Sequence, residues 1–194
     1  MKKDADNKNP INELQKKRWS PRSFADTEIP KGKIYSMFEA ASWAASSRNE
    51  QPWRFIYGLK GEGENYKKII DTLVSWNQKW AKTAPMLVVG VAKLNSDYHN
   101  KPNEYAHYDL GQAVAAMSLQ AISDGIYVHQ MGGFEKDKVR NSFKMSDNYE
   151  PMVAIAVGYL GQPEDLPDDM RELEEKPRTR YELNRLIFNG DFKP

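Results

Sequence analysis

The chain of 194 residues contains no cysteine. This absence excludes disulfides, thiolate metal sites, iron–sulfur clusters and thiol nucleophiles. Net charge is also scarce, because 28 lysines and arginines face 27 acidic residues and leave a formal charge of +1. A chain balanced in this way lacks the bulk attraction that draws strongly basic proteins to polyanions. We therefore expect neither a nucleic-acid partner nor a membrane partner.

Long hydrophobic runs and several familiar motifs are missing too. The longest mostly apolar run, residues 84–92, is far shorter than the roughly 20 residues that cross a bilayer. No apolar segment follows the two early lysines, so we predict no targeting signal and a cytoplasmic location. The 3 histidines show no metal-ligand spacing, and we expect no metal site.

Motifs for nucleotide binding and covalent catalysis are equally absent. The chain has no GxGxxG, no GxxxxGK[ST] and no GxSxG sequence. If the protein is an enzyme, a bound cofactor should therefore perform the chemistry.

The length predicts one domain, and the composition is that of a folded globular protein. Residues 1–9 are polar and are predicted to form a disordered tail. Residues 10–194 are predicted to form a single domain. From about residue 162 the chain becomes acidic and rich in proline, which we interpret as an extension that wraps around something.

Helical periodicity dominates the sequence. It predicts helices over 10–17, 30–45, 65–74, 103–124 and 135–143, and strands over 53–60, 86–93 and 152–160. The fold class expected from this pattern is α+β, with a central sheet flanked by helices. Small residues along the longest helix favour close packing against another helix, of the same chain or of a partner.

Basic residues occupy two short segments near the ends of the chain. Arg18 and Arg22 flank Ser20, and Arg178 and Arg180 lie close to the C-terminus. Arginine presents a fixed fork of donors that matches a phosphate group. The two segments could converge on one phosphate, although solvated surface charges are the more common explanation of such runs.

Two further segments could contact a ligand. Residues 46–53 offer hydroxyls, amides and free backbone N–H groups that suit a flat ring with polar edges, although they also suit an ordinary capped loop. Gly132 and Gly133 would let the backbone approach a ligand closely, although a plain turn explains them equally. His129 could donate a proton or could be a hydrogen-bonded structural residue.

Taken in order, these segments resemble the motifs of the FMN-dependent nitroreductase family. The motifs are Arg-x-Ser-x-Arg-x-Phe at 18–24, Ser-Ser-x-Asn-x-Gln-Pro-Trp at 46–53, Gly-Gly-Phe at 132–134 and Arg-x-Arg at 178–180. The resemblance spans about residues 10–192. It implies a nitroreductase-like fold, an intertwined homodimer and FMN bound at the subunit interface.

The resemblance also assigns residues to the cofactor. One subunit would hold the phosphate, ribityl chain and pyrimidine edge through Arg18, Trp19, Ser20, Arg22, Arg178 and Arg180. The other subunit would supply Ser46, Ser47 and Asn49. The remaining contacts to the flavin ring would come from Asn77, Met131, Gly132 and Gly133. No protein residue is expected to be catalytic in its own right, because flavin N5 carries the hydride.

The implied activity is hydride transfer from NAD(P)H, through flavin N5, to a small electron-poor acceptor such as a nitroaromatic or a quinone, by a ping-pong mechanism. Three alternatives stay open: an FMN-binding protein without NAD(P)H turnover, a flavin enzyme of the same fold with another outcome, and an interaction domain without flavin. Two positions depart from common family patterns. Ala45 replaces a proline, and Trp80 replaces a lysine, so the pocket is expected to change in shape and charge.

Overall fold

The sheet forms the centre of the molecule. The computed structural model describes residues 3–99 and 101–192. Its four antiparallel strands lie in the order β1-β2-β4-β3. Their bounds are β1 Trp53–Leu59, β2 Met86–Lys93, β3 Tyr127–Met131 and β4 Tyr149–Gly158. The inner strand β2 is buried along nearly its whole length, because helices cover both faces of the sheet.

Seven α-helices surround this sheet within the described residues. Their bounds are α1 Glu13–Lys17, α2 Lys31–Ser42, α3 Asn65–Thr72, α4 Ser75–Ala81, α5 Ala106–Ser123, α6 Lys136–Ser142 and α7 Asp168–Glu175. Short 3₁₀ turns occupy Ser47–Asn49, Pro163–Asp165 and Leu183–Arg185. The predicted α+β class, with a central sheet flanked by helices, is confirmed.

One face of the sheet is covered by α2 and α5. Helix α5 buries an apolar stripe at spacings of three and four residues, which includes Leu110, Val114 and Met117. These side chains pack with Met37 of α2 and Val88 of β2 in one hydrophobic cluster. The helix pair therefore fixes the position of the loop that joins α2 to β1.

The opposite face packs against α3, α4, α6 and α7. Ile69, Trp80 and Val139 lie in this cluster beside Val89 of β2. Met170 of α7 belongs to it as well and is fully buried. The acidic extension thus folds back onto its own chain's core, through a helix that was not predicted.

Two further elements differ from the sequence-based expectation. Strand β3 was missed because it is only five residues long and borders a long helix. The helix predicted over 65–74 ends at Thr72, since Leu73 has an extended backbone (φ −71°, ψ 148°), and a separate helix, α4, follows it. The single domain and the disorder of residues 1–9 stay predictions. Within that tail, the backbone N–H of Ala5 donates to the carbonyl of Lys16 at 2.8 Å.

Within the described part of the chain, no helix combines the length and the apolar character needed to cross a membrane. The same residues contain no group of three or more His, Asp or Glu side chains arranged to hold a metal ion.

Candidate functional site

The arginines from the two ends of the chain come together in space. Burial first, and then the neighbouring guanidinium groups of Arg178 and Arg180, lower the pKa of Arg18. The guanidinium of Arg178 donates to the carbonyl oxygens of Lys3 at 2.8 Å and Lys16 at 3.0 Å. The segment that contains Arg178 is thus anchored beside α1. This proximity is what a phosphate site formed by both arginine segments requires.

This three-arginine cluster forms no salt bridge among the described residues, although the charge of Asp4 acts on Arg178 and opposes the lowering of its pKa. No carboxylate among residues 3–99 and 101–192 forms a salt bridge with Arg18, Arg178 or Arg180. Arginine stays protonated at neutral pH even when its pKa is lowered. Three mutually repelling cations without a salt-bridged acidic partner suit a small dianion. The hydroxyl of Ser20 lies beside them, 3.5 Å from the Nη1 atom of Arg18.

The segment that follows Ser20 is held from two sides. The carboxylate of Glu174 on α7 accepts hydrogen bonds from the backbone N–H groups of Arg22 at 2.9 Å and Ser23 at 3.3 Å. On the other side, the Nδ1 atom of His129 on β3 lies 2.8 Å from the carbonyl oxygen of Pro21. Neither contact was predicted from the sequence.

The side chain of Trp19 points inward. It is 6% exposed and meets Tyr127 edge-on, with ring centroids 6.2 Å apart. Its indole N–H has no acceptor among the described residues. Any contact of Trp19 with a ligand would therefore come mainly from its backbone.

His129 is partly buried against the ring of Trp80, with centroids 4.5 Å apart. Burial lowers the pKa of His129 to about 4, reinforced by the charge of Arg22 and opposed by hydrogen bonds from the imidazole to the backbone. The imidazole is therefore neutral at pH 7. The Nδ1–H tautomer lets it donate to Pro21. His129 thus has a structural role, one of the two considered from the sequence.

We expect His129 to make the protein less stable in mild acid. The unfolded chain takes up this proton near pH 6.5 and the folded chain only near pH 4, so the unfolded state binds more protons between these values. Stability falls as the pH falls through this window, by up to about 3 kcal/mol. Urea unfolding at pH 7 and pH 5 measures the loss, and the His129→Gln variant should show a smaller one. An equal loss in both proteins would contradict the assignment.

Trp80 does not line an open pocket, contrary to the sequence-based expectation. It is 1% exposed and packs between His129 and the ring of Phe24, whose centroid lies 6.4 Å away. Trp80 therefore supports the Pro21–Arg22 segment from the core, because it packs against the His129 that contacts Pro21. Its neighbour on α4, Trp76, is 39% exposed and carries Lys79 above its ring.

Asn77 and the glycine pair meet at the end of β3. The Nδ2 atom of Asn77 donates to the carbonyl oxygen of Gly133 at 2.9 Å, and the backbone N–H of Val74 donates to the same oxygen at 3.1 Å. Met131, the residue before the pair, is buried. A side chain added at Gly132 would meet nothing within 4 Å. The backbone at Gly132 is therefore open to a ligand, while Gly133 is needed for packing.

The two glycines allow a matched pair of variants. A Cβ atom at Gly133 would lie 2.6 Å from Nδ2 of Asn77 and 3.0 Å from a methyl of Val74. We expect Gly133→Ala to break the Asn77 hydrogen bond and to cost about 1–3 kcal/mol of stability. Gly132→Ala should change stability by less than about 0.5 kcal/mol. Chemical denaturation of both variants measures the contrast, and equal effects would rule this packing out.

The loop that contains Ser46, Ser47 and Asn49 has a strained backbone. Asn49 adopts a positive φ of 55°, and Arg48 and Gln51 do so as well. The backbone N–H of Ser47 donates at 3.0 Å to the buried carboxylate of Asp109 on α5. An acidic residue inside the apolar stripe of a helix was the sequence signal that could have revealed this anchor.

This loop lies apart from the other predicted site residues of the same chain. It precedes β1, one edge strand of the sheet, whereas the Pro21–Arg22 segment and Gly132 lie beside β3, the opposite edge. Among the described residues, no hydrogen bond, salt bridge or ring contact joins the loop to the three-arginine cluster. A groove of about 670 Å³ between α2 and β1 contains none of the predicted site residues.

Comparison with known proteins identifies the family to which this fold belongs. The family model described as "Nitroreductase family" matches residues 16–73 and 58–159. A solved oxidoreductase that contains FMN is 33% identical and superposes with a TM-score of 0.91, over 97% of this chain and 96% of its own.

Two further relatives are more distant. A nitroreductase family protein from Clostridium difficile 630 is 23% identical, has a TM-score of 0.72, and is covered over 97% of its chain and 92% of this one. YdgI from Bacillus subtilis, named as an NAD(P)H nitroreductase, is 25% identical over 77% of this chain and 88% of its own length. The family model matches more than half of this chain, and the chain therefore belongs to the nitroreductase family.

Proposed function

We propose that the protein is an FMN-dependent oxidoreductase that passes a hydride from NAD(P)H to a small electron-poor acceptor, such as a nitroaromatic or a quinone. The three-arginine cluster is the observation that carries the proposal, because no carboxylate among the described residues forms a salt bridge with it. The phosphate of FMN supplies a matching dianion. The relative that contains FMN, 33% identical, supports the same cofactor.

The residues present fit FMN at both of its ends. Arg18, Arg178 and Arg180 would hold the phosphate, with the hydroxyl of Ser20 beside them. Arg22 would lie at the pyrimidine edge, where a cation favours the negative charge of a reduced flavin. When bound, FMN would supply hydride acceptance and donation at its N5 atom.

The glycine pair would contribute positioning. Asn77 holds the carbonyl of Gly133 in place, so the neighbouring backbone at Gly132 is fixed and open. A fixed backbone N–H orients a ring more precisely than a flexible side chain does. No side chain of this chain is assigned as a general acid, since solvent can deliver the proton.

We further propose a homodimer in which each flavin lies between two chains. Ser47 and Asn49 lie near one edge of the sheet and Arg22 near the other, so one chain does not place them around a single ring. Exposed aromatic side chains support a surface that a second chain would cover. Tyr35 on α2 is 65% exposed, and Trp43, the residue after α2, is 82% exposed. The C-terminal segment exposes further apolar side chains, namely Tyr181, Leu183, Leu186, Ile187 and Phe192.

Anaerobic mixing with reduced nicotinamides tests the activity. NADH or NADPH should bleach the absorbance of the bound flavin on a catalytic timescale, and a quinone or nitroaromatic should restore it. Failure of both donors, with FMN still bound, would contradict the oxidoreductase proposal. That outcome would favour the alternative of a flavin store or redox partner.

A further inference from the structure

Glu174 is the buried carboxylate nearest the candidate cofactor segment. It is 2% exposed, and its two oxygens accept the backbone N–H of Arg22 at 2.9 and 3.0 Å and that of Ser23 at 3.3 Å. Helix α7 delivers it inward, because Glu174 follows the buried Met170 by four residues on the same helix face. A buried charge is tolerated only when it is paired and hydrogen-bonded.

The side chain of Arg22 completes the pairing. Its Nη1 atom lies 3.8 Å from a carboxylate oxygen of Glu174, and its side chain is 26% exposed. Arg22 therefore has a salt-bridged acidic partner, whereas no carboxylate among residues 3–99 and 101–192 forms a salt bridge with Arg18, Arg178 or Arg180. The positive charge is therefore offset more strongly at Arg22 than at the three-arginine cluster, where Asp4 acts on Arg178 without a salt bridge.

We propose that Glu174 is a positioning residue that fixes Arg22 and reduces the positive charge that Arg22 offers to the flavin ring. The inference rests on the proposed FMN site. Because Glu174 holds the guanidinium of Arg22 in an ion pair, less of that cation's charge is available to stabilise the electron-rich reduced flavin, so Glu174 acts through Arg22 to lower the midpoint potential of the bound cofactor. Because Glu174 belongs to α7, the C-terminal extension would contribute to setting the midpoint potential of the bound flavin.

The Glu174→Gln variant separates charge from geometry. Glutamine keeps an oxygen for the backbone N–H groups, so FMN affinity should stay within about threefold of the wild type. The midpoint potential of the bound flavin should rise, because the charge that offsets Arg22 is gone. Spectroelectrochemical titration measures the potential, and flavin fluorescence quenching measures the affinity. The matched control is Glu172→Gln, since Glu172 is an exposed residue of the same helix that pairs with Lys176. It should leave the potential unchanged.

A double-mutant cycle tests whether the effect passes through Arg22. In the Arg22→Gln background, the added Glu174→Gln change should shift the potential much less than in the wild type. Equal shifts in the two backgrounds, or an unchanged potential in Glu174→Gln, would overturn the inference.

The single variant Arg22→Gln gives an answer that does not depend on the folding of Glu174→Gln. Its potential should fall below that of the wild type, because a cation near the ring is removed. An unchanged potential would overturn the inference while leaving FMN binding intact. If the wild-type protein takes up no FMN, it is the proposed function that fails, and the two failures are thereby distinguished.

Discussion

Replacing Arg18 and Arg180 together by alanine is expected to weaken FMN binding at least about a hundredfold. A charge-assisted hydrogen bond to a phosphate contributes about 1.5–3 kcal/mol, so the loss of two such contacts costs at least about 3 kcal/mol. The remaining guanidinium of Arg178 also donates to two backbone carbonyls, which fixes its position. Fluorescence titration of FMN into the apoprotein measures the change.

The control for this double variant removes two arginines elsewhere. Arg140 lies on α6, and Arg171 pairs with the exposed Asp168 on α7. The Arg140→Ala and Arg171→Ala double variant changes the net charge equally and should bind FMN as the wild type does. Unchanged flavin affinity in the Arg18 and Arg180 double variant would contradict the phosphate assignment. An equal loss of FMN affinity in the control variant would show that the effect comes from the change in net charge and not from contacts to the phosphate.

Mixing two defective chains is expected to restore flavin binding. One chain carries Arg18→Ala with Arg180→Ala, and the other carries Ser47→Ala with Asn49→Gly. Glycine tolerates the positive φ of 55° at position 49, so the second chain should keep its loop conformation. If each site takes the arginines from one subunit and the loop from the other, a mixed dimer contains one intact site and one doubly defective site.

The recovery expected in the mixture follows from simple reassortment. Random pairing of equal amounts makes about half of the dimers mixed, so roughly one site in four is intact. At an FMN concentration near the wild-type Kd, the mixture should therefore bind clearly more flavin than either parent does. Binding that equals the mean of the two parents would show that each chain carries a complete site. The shared-site arrangement would then be wrong.

The parts of the site that could be predicted from the sequence are those that consist of particular residue types in a particular order along the chain. Arg18 and Arg178 were recognised because arginine forks in such pairs match a phosphate. From the sequence alone, the two arginine segments could either converge on one phosphate or be solvated surface charges. The choice depends on where the fold places the C-terminal segment relative to α1. The structure brings them together through the bonds of Arg178 to Lys3 and Lys16.

The supporting residues could not be predicted, because their roles arise from tertiary contacts. Glu174 lies in an acidic, proline-rich stretch that normally stays in solvent, yet Met170 draws its helix face into the core. His129 is one of only 3 histidines, and no local pattern indicates that it reaches Pro21. Trp80 was expected at a pocket, but its large apolar ring contributes more when buried against Phe24.

The same contrast applies to the fold. The strand β2 coincides with its predicted bounds, 86–93, because a run that is apolar on both faces identifies a central strand. The edge strand β3 and the helix α7 are short, and their apolar side chains pack against the neighbouring layers of the core. Tertiary packing therefore accounts for β3 and α7, which local periodicity in the sequence does not predict.

Titration of FMN into the purified wild-type apoprotein tests the central claim most directly. The proposed shared site predicts the bound-flavin absorption spectrum, saturation at about one flavin per chain, and sedimentation of the loaded protein as a dimer. A colourless protein that takes up no added FMN, or a stable flavin-loaded monomer, would contradict it.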